Sequence, residues 1–552
     1  MQIWNLVPII SIIGLSSTFS RNLNLHFKYA LPITLSSVIL ILYASSSAGI
    51  VYYCSYYLYI LGLYHFYVSY RLDQNFYSLC SKNKLIISLI SFIIILSGSY
   101  YYYAHIEYYE DLAFWALASK EMLARHGFET KSSITAVTSD FASHPRAIAV
   151  IHYFFMLLTG YSDGGALLAH LLIYLAFLAP IMSEDRLNSF VLLLVMIAAI
   201  TLPTTALRSV NAFSIVGVIF ASIMMMFLSR SKDKIKPRNF LPLFILMPLI
   251  HEVGVVIGII SGTILWAIDA KSSMRNDEGG TNDYIFLACA SVIVHLLRRL
   301  FLEGGIISPA TLLLITDDSI VTSGHFLSFM LNLIFAFIKE GFIFLYFLAY
   351  VVYRGTRKYQ ETHKEVIVSA KFMICGFIAY VTVIIISALA NSTPFDPGYI
   401  IKYIGIYVIG LIASCCIFIQ RGKLFGQSHY LLFVLLFISI VSIMKAFDNI
   451  PVKLSLEEEI HENQVREIKK ASANGHEIIF DYSNKSSNKD CIDLAYKVSP
   501  LMNVQDVNLC LNHQIAYHNF YLGHKRSLEL KEGSKCKIYF KPFLLDFKAE
   551  CN

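Results

Sequence analysis

The feature that most constrains this chain is its supply of long apolar runs. "LIISLISFIIILSGSYYYY" (85–103), "FSIVGVIFASIMMMFL" (213–228) and "LLFVLLFISIVSIMKAF" (431–447) are examples. Each reaches or approaches the ~20 residues that a helix needs to cross a ~30 Å hydrocarbon core. Only 15% of the 552 residues are charged and 56% are hydrophobic, with a mean hydropathy of +0.59. A soluble protein of this length would carry far more charge. The expectation is an all-α polytopic membrane protein. The net charge of +6 says little by itself, because the useful signal is where the basic residues lie. The first apolar stretch lacks a basic n-region and a small-residue cleavage site, so no cleavable signal peptide is expected.

Composition changes near residue 448. From Asp448 to Asn552 there are 15 acidic and 14 basic residues, whereas the preceding 447 positions carry 53 charges. "HEIIFDYSN" and "KCKIYFKPFLLDF" read as strand-like pieces within this tail. It is expected to form a small soluble α+β domain. Four of the ten cysteines fall there: Cys491, Cys510, Cys536 and Cys551. An even number of cysteines in a small domain points to two disulfides and an oxidising compartment, and four cysteines allow three pairings. The alternative is four buried thiols in a cytosolic domain.

The basic loops set the topology. "SRNLNLHFK" (20–28), "RLDQNFYSLCSKNK" (71–84), "RSKDKIKPR" (230–238), "KSSMR" (271–275), "RGTRKYQETHK" (354–364) and "RGK" (421–423) belong in the cytoplasm by the positive-inside rule. The span at 85–103 then leads outward. If 147–160, 164–182, 188–204 and 211–229 all crossed, "RSKDKIKPR" would emerge outside. Parity requires one of them not to span. The choice falls on 147–160, which is short and bordered by Pro145 and Arg146 on one side and "GYSDGG" on the other. Read as a helix at the interface, it restores every later assignment and puts the tail outside with its cysteines. About fourteen spans are expected. Residues 1–84 would form N-terminal spans. A core over 85–447 would carry an external loop of roughly 104–163, and 448–552 would form the external domain.

The chain has no Walker-type loop, no Rossmann fingerprint, no HExxH, no CxxC zinc pair and no basic patch suited to nucleic acid. The informative stretch is "YYYAHIEYYEDLAFWALASKEML" (101–123), with Glu107, Glu110 and Asp111 directly after a span. "EDLAFWALASKEML" is followed about twenty residues later by "SHPRAIAVIHYFF". Together they resemble a pattern in bacterial members of the GT-C glycosyltransferase superfamily, such as the mannosyl- and arabinosyltransferase-like membrane proteins that use lipid-linked sugars. There an acidic pair and a "DEFxxW…KxM" run follow a transmembrane helix, and a Tyr-Pro-Pro or His-Pro-Pro element opens a membrane-surface helix. Here Glu110-Asp111 stands in reversed order, and Trp115, Lys120, Glu121 and Met122 follow in register. His144-Pro145-Arg146 replaces the second proline with arginine. The resemblance covers roughly 104–160. It implies an external loop with a non-spanning helix, in agreement with the parity of the charges.

The resemblance also implies a polyprenyl-phosphate sugar donor, undecaprenyl phosphate in a bacterial inner membrane, used on the periplasmic face. An envelope glycan such as lipopolysaccharide, a lipid or a protein would be the acceptor. Transfer needs a carboxylate to deprotonate or orient the acceptor hydroxyl, and a cation or metal to stabilise the departing phosphate. Asp111, then Glu110, is the candidate base. The bland reading of the pair is acids favoured by a helix N-terminus. Arg298 and Arg299, at the external end of a span, are the main phosphate candidates, since a positive pair there violates the usual charge bias. Snorkelling into lipid headgroups competes with that reading. Lys120, His144, Arg146, Arg208, Lys402 and Trp115 are further binding candidates. His251-Glu252 interrupts an apolar run. It reads as a cavity lining, a site for a divalent metal, or a buried hydrogen-bonded pair. Lys339-Glu340 reads as an internal ion pair.

Two other function classes fit the same composition. An O-antigen polymerase or ligase also has many spans and an external loop, and would lean on arginine and histidine rather than on an acidic pair. A lipid-linked sugar flippase or transporter would favour inverted repeats and charges within spans. The sequence shows no internal repeat, and only Lys339-Glu340 speaks for transport.

Overall fold

A computed structural model describes residues 6–72, 106, 115–128, 145–181, 210, 212–233, 235–273 and 282–302, with three strands at 477–480, 536–541 and 546–551. The first three helices are set against one another by two short links. α1 (Leu6–Leu23) ends where Asn24 adopts φ +52°, and Asn24 and Leu25 donate back to the carbonyls of Arg21 (3.2 Å) and Ser20 (2.9 Å). α2 (Phe27–Ser47) ends the same way at Gly49, φ +72°, with Gly49 and Ile50 donating to Ser46 (3.1 Å) and Ser45 (2.9 Å). Left-handed terminations of this kind satisfy the orphan carbonyls of a last turn and reverse the chain. α1, α2 and α3 (Val51–Leu72) therefore run up, down and up, and Arg21, Lys28 and Arg71 lie at one end of the unit.

α1 and α3 meet at backbone distance. A Cβ on Gly14 would stand 2.0 Å from the Gly62 carbonyl oxygen, and one on Gly62 would stand 2.5 Å from Ser11 Cα. Only hydrogen fits at those positions, a device by which helices in lipid gain close contact. Ser11 Oγ donates to the Tyr59 carbonyl across the same crossing at 3.1 Å.

The next helices are short. α4 (Ala116–Arg125) packs on α5 (Ala147–Met156), which packs on α6 (Asp163–Phe177). A single 3-10 turn, Ala179–Ile181, follows α6. At ~1.5 Å per residue α5 is ~15 Å long, about half of a hydrocarbon core. Its length agrees with the non-spanning segment that charge parity requires. Its surroundings differ from an interfacial helix. "AIAVIHYFFM" has no polar face, and nine of its ten residues are buried, with only Phe155 half-buried. α5 is enclosed by α2, α4 and α6 rather than laid on a surface.

α7 (Ala212–Asp233) leads through a 3-10 turn, Pro237–Phe240, into α8 (Leu241–Ile250), α9 (Val253–Ser273) and α10 (Asn282–Leu302). α8 is a ten-residue helix continued backwards only by that turn. Gly254, Gly258 and Gly262 recur every fourth residue on α9, where an added Cβ would meet Met247 of α8 or Ser291, Tyr284 and Ala288 of α10 within 3 Å. Ser291 Oγ also donates to the Phe244 carbonyl at 2.7 Å, so α8, α9 and α10 form one tight group.

Among the described residues, α1, α2 and the 253–270 part of α9 are long and apolar enough to cross a membrane. α3 is as long but carries eight tyrosines. The expected spans at 85–103 and 188–204 and those after residue 302 lie outside the described residues.

β1 (Glu477–Phe480), β2 (Cys536–Lys541) and β3 (Asp546–Cys551) form one sheet in the order β1-β2-β3. β1 pairs parallel to β2, and β2 pairs antiparallel to β3. β1 and β2 fall inside the two strand-like pieces read from the sequence. Cys491 and Cys510 lie outside the described residues.

Candidate functional site

Three helix termini converge where α8 gives way to α9. Pro248 lies in the last turn of α8, and the chain leaves the helix at His251, which is extended at φ −156°, ψ 150°. His251 Nδ1 accepts the Val253 N–H at 3.2 Å, capping the start of α9. With Nδ1 an acceptor, Nε2 is the nitrogen left to donate. Glu252 sits at the head of α9, and Arg298 and Arg299 occupy the end of α10. Each charge complements its own helix dipole. Because α9 and α10 are antiparallel, acid and bases meet. Arg299 Nη2 donates to Glu252 Oε1, and Arg298 Nη2 lies 3.4 Å from the same oxygen. The arginine side chains are only 2% and 5% exposed, whereas the Glu252 side chain is 33% exposed. Both guanidiniums are buried and face Glu252. The expected His251–Glu252 hydrogen-bonded pair is absent from the described contacts, since Glu252 pairs with arginine and His251 with backbone.

His251 connects this cluster to the loop singled out from the sequence. Its buried ring lies 6.1 Å from the ring of Trp115, itself buried at the head of α4. Glu121 and Met122, one turn further on, are buried as well. Lys120 Nζ stands 6.0 Å from the Tyr161 ring centroid, within cation–π range. Arg146 precedes α5 and is half-buried.

Behind Trp115 lies a polar chain that sequence reasoning missed. Ser119 Oγ donates to the Trp115 carbonyl (2.7 Å) and lies 2.7 Å from His152 Nδ1. His152 Nε2 in turn lies 3.4 Å from His170 Nδ1. With the Ser119 proton on the Trp115 carbonyl, His152 donates from Nδ1 and accepts at Nε2. All three side chains are buried. Burial, and then the neighbouring His170, holds His152 well below the ordinary histidine pKa, so it is neutral at physiological pH. The available signal was a histidine inside each of two uniformly apolar runs, where a polar residue needs a partner.

The residues that flank the acidic stretch have defined partners. The Ile106 N–H donates to Asp163 Oδ2 at 3.1 Å, at the start of α6, and Ile106 is buried. Asp163 was not singled out from the sequence. Trp115, on the other flank, has its ring beside that of His251. Glu107, Glu110 and Asp111 fall between these two residues and lie outside the described residues, as do His144, Arg208, Lys339, Glu340 and Lys402.

Two guanidiniums around one carboxylate oxygen can take an oxyanion in its place, because their planar forks match phosphate and carboxylate alike. Glu252 is the half-buried member of the cluster, the arginines being buried. Among the described residues no group of three or more His, Cys, Asp or Glu is placed to hold a metal ion. No family model, curated protein or solved structure matches the chain.

Proposed function

We propose that this chain is a membrane glycosyltransferase that moves a sugar from a polyprenyl-phosphate donor to an envelope acceptor on the external face of the bacterial inner membrane. The observation that carries the reading is the convergence of Trp115, His251, Glu252, Arg298 and Arg299 from sequence-distant segments. In this mechanism Arg298 and Arg299 hold the donor phosphate as it departs from the anomeric carbon. Positive charge fixed in a buried site stabilises a leaving anion without reorganising. Glu252 occupies the arginines at rest and yields them to phosphate. Asp111, on the segment between Ile106 and Trp115, deprotonates the attacking acceptor hydroxyl, with Glu110 in reserve.

Purified protein given a synthetic polyprenyl-phosphate sugar and membrane acceptor is the direct test. Asp111→Asn is expected to remove ~10²–10⁴-fold of transfer, the range of a general base. Full transfer by that variant would sink the assignment and favour a second reading, an O-antigen polymerase or ligase. The arginine–histidine character of the cluster is the observation in its favour. Movement of lipid-linked sugar across a bilayer without transfer would instead point to a flippase.

A further inference from the structure

We infer that Cys536 and Cys551 form a disulfide that closes the open end of the β2–β3 hairpin. In the antiparallel register Cys536, the first residue of β2, stands opposite Cys551, the last residue of β3. Opposed residues of such a pair have Cα atoms about 4.5 or 5.5 Å apart, according to their place in the ladder. Both separations lie inside the roughly 4.4–6.8 Å that a disulfide accepts. The same register sets Lys537 against Glu550, Lys541 against Asp546 and Phe540 against Phe547. Opposite charges and paired aromatics are the combinations that stabilise facing strands. A slip of one residue in either direction would lose both charge pairs and part the two cysteines. The register therefore selects Cys551 among the partners open to Cys536.

Closing the bond removes two electrons and two protons from the two thiols. They pass to the disulfide of a thiol–disulfide oxidoreductase in the compartment, which is reduced to two thiols. The inference needs the tail on the oxidising side of the membrane and is independent of the glycosyl-transfer reading.

Full-length protein taken from its own membrane, alkylated with iodoacetamide and digested without reductant, gives the test by tandem mass spectrometry. A peptide pair joining Cys536 to Cys551 is expected, lost on reduction. Recovery of both residues alkylated before reduction, or linked to Cys491 or Cys510, overturns the pairing. Cys536→Ser adds a readout that does not depend on folding, because labelling is done after denaturation. It is expected to raise the number of maleimide-reactive thiols by one, since Cys551 loses its partner. A fall by one would mean that Cys536 was already a free thiol, and the inference would fail.

Discussion

The Ser119–His152–His170 chain is wholly buried, and its central histidine is neutral. Glu252, Arg298 and Arg299 instead form an ion-paired cluster whose carboxylate side chain is 33% exposed. Both groups remove polar atoms from solvent, which is costly unless each atom finds a partner. The histidine chain meets that demand with hydrogen bonds among its own side chains and to the Trp115 carbonyl. The charged cluster meets it in part with ion pairs, whose partners can be exchanged for others of the same sign. A closed network fixes helices, whereas an exchangeable one can bind.

The sharpest way to break this contrast is to remove the charges. Arg298→Ala with Arg299→Ala is expected to lower sugar transfer by at least ~10²-fold, the scale of losing electrostatic stabilisation of a leaving group. Steady-state transfer rates read the result, and an undiminished rate would remove the cluster from the mechanism. The histidine chain should answer in stability instead. His152→Leu leaves Ser119 its Trp115 acceptor but deprives His170 of a partner, and is expected to cost about 1–3 kcal/mol. Combining it with His170→Leu should recover most of that loss, because two apolar groups replace a matched pair. Thermal unfolding in detergent distinguishes the two variants.

Acidity sharpens the contrast further. In the folded chain His152 titrates below its ordinary value, so beneath pH ~6.5 the unfolded chain binds more protons than the folded one. Stability from this group is therefore complete above pH ~6.5 and is lost as the pH falls towards the lowered value. The slope is at most ~1.4 kcal/mol per pH unit. Comparing unfolding of the parent and His152→Gln across pH 5–8 isolates this contribution, and parallel curves would refute it. The smallest effect expected is that of Lys120→Met. At 6.0 Å from the Tyr161 ring, its contact is worth about 0.5–1 kcal/mol. Transfer should change little, and a large loss would bring Lys120 into the charged cluster's work.

How far the sequence foretold these clusters depends on the kind of signal each leaves. Arg298 and Arg299 stood out because the basic loops assign the end of their apolar run to the outside, where a positive pair defies the charge bias. His251 and Glu252 were legible as polar interruptions of a second run. Their partnership was not, since Glu252 and the arginines are 46 and 47 residues apart and only the antiparallel packing of α9 and α10 joins them. Ser119, His152 and His170 passed unnoticed, because a lone histidine or serine among apolar residues carries no mark of what it will face. Charge parity required one of four runs not to span and the short 147–160 was chosen, but the absence of any polar face on "AIAVIHYFFM" already argued for enclosure over an interfacial position. The strands at 477–480 and 536–541 followed from local composition. Their pairing depends on residues 60 positions apart, which composition does not reach.

The Gly14–Gly62 crossing also has a meaning in time. The Ser11 hydroxyl finds its acceptor 48 residues later in the chain, and Gly14 finds its close neighbour at the same distance. At the ~5–20 residues per second of synthesis, about 2–10 s separate the appearance of α1 from that of α3. Through that interval α1 has α2 beside it but not the helix it touches most closely. The amino-terminal unit is thus completed in the order in which it is made, and a delay between α1 and α3 would lengthen the one stage at which its serine and glycine face stands open.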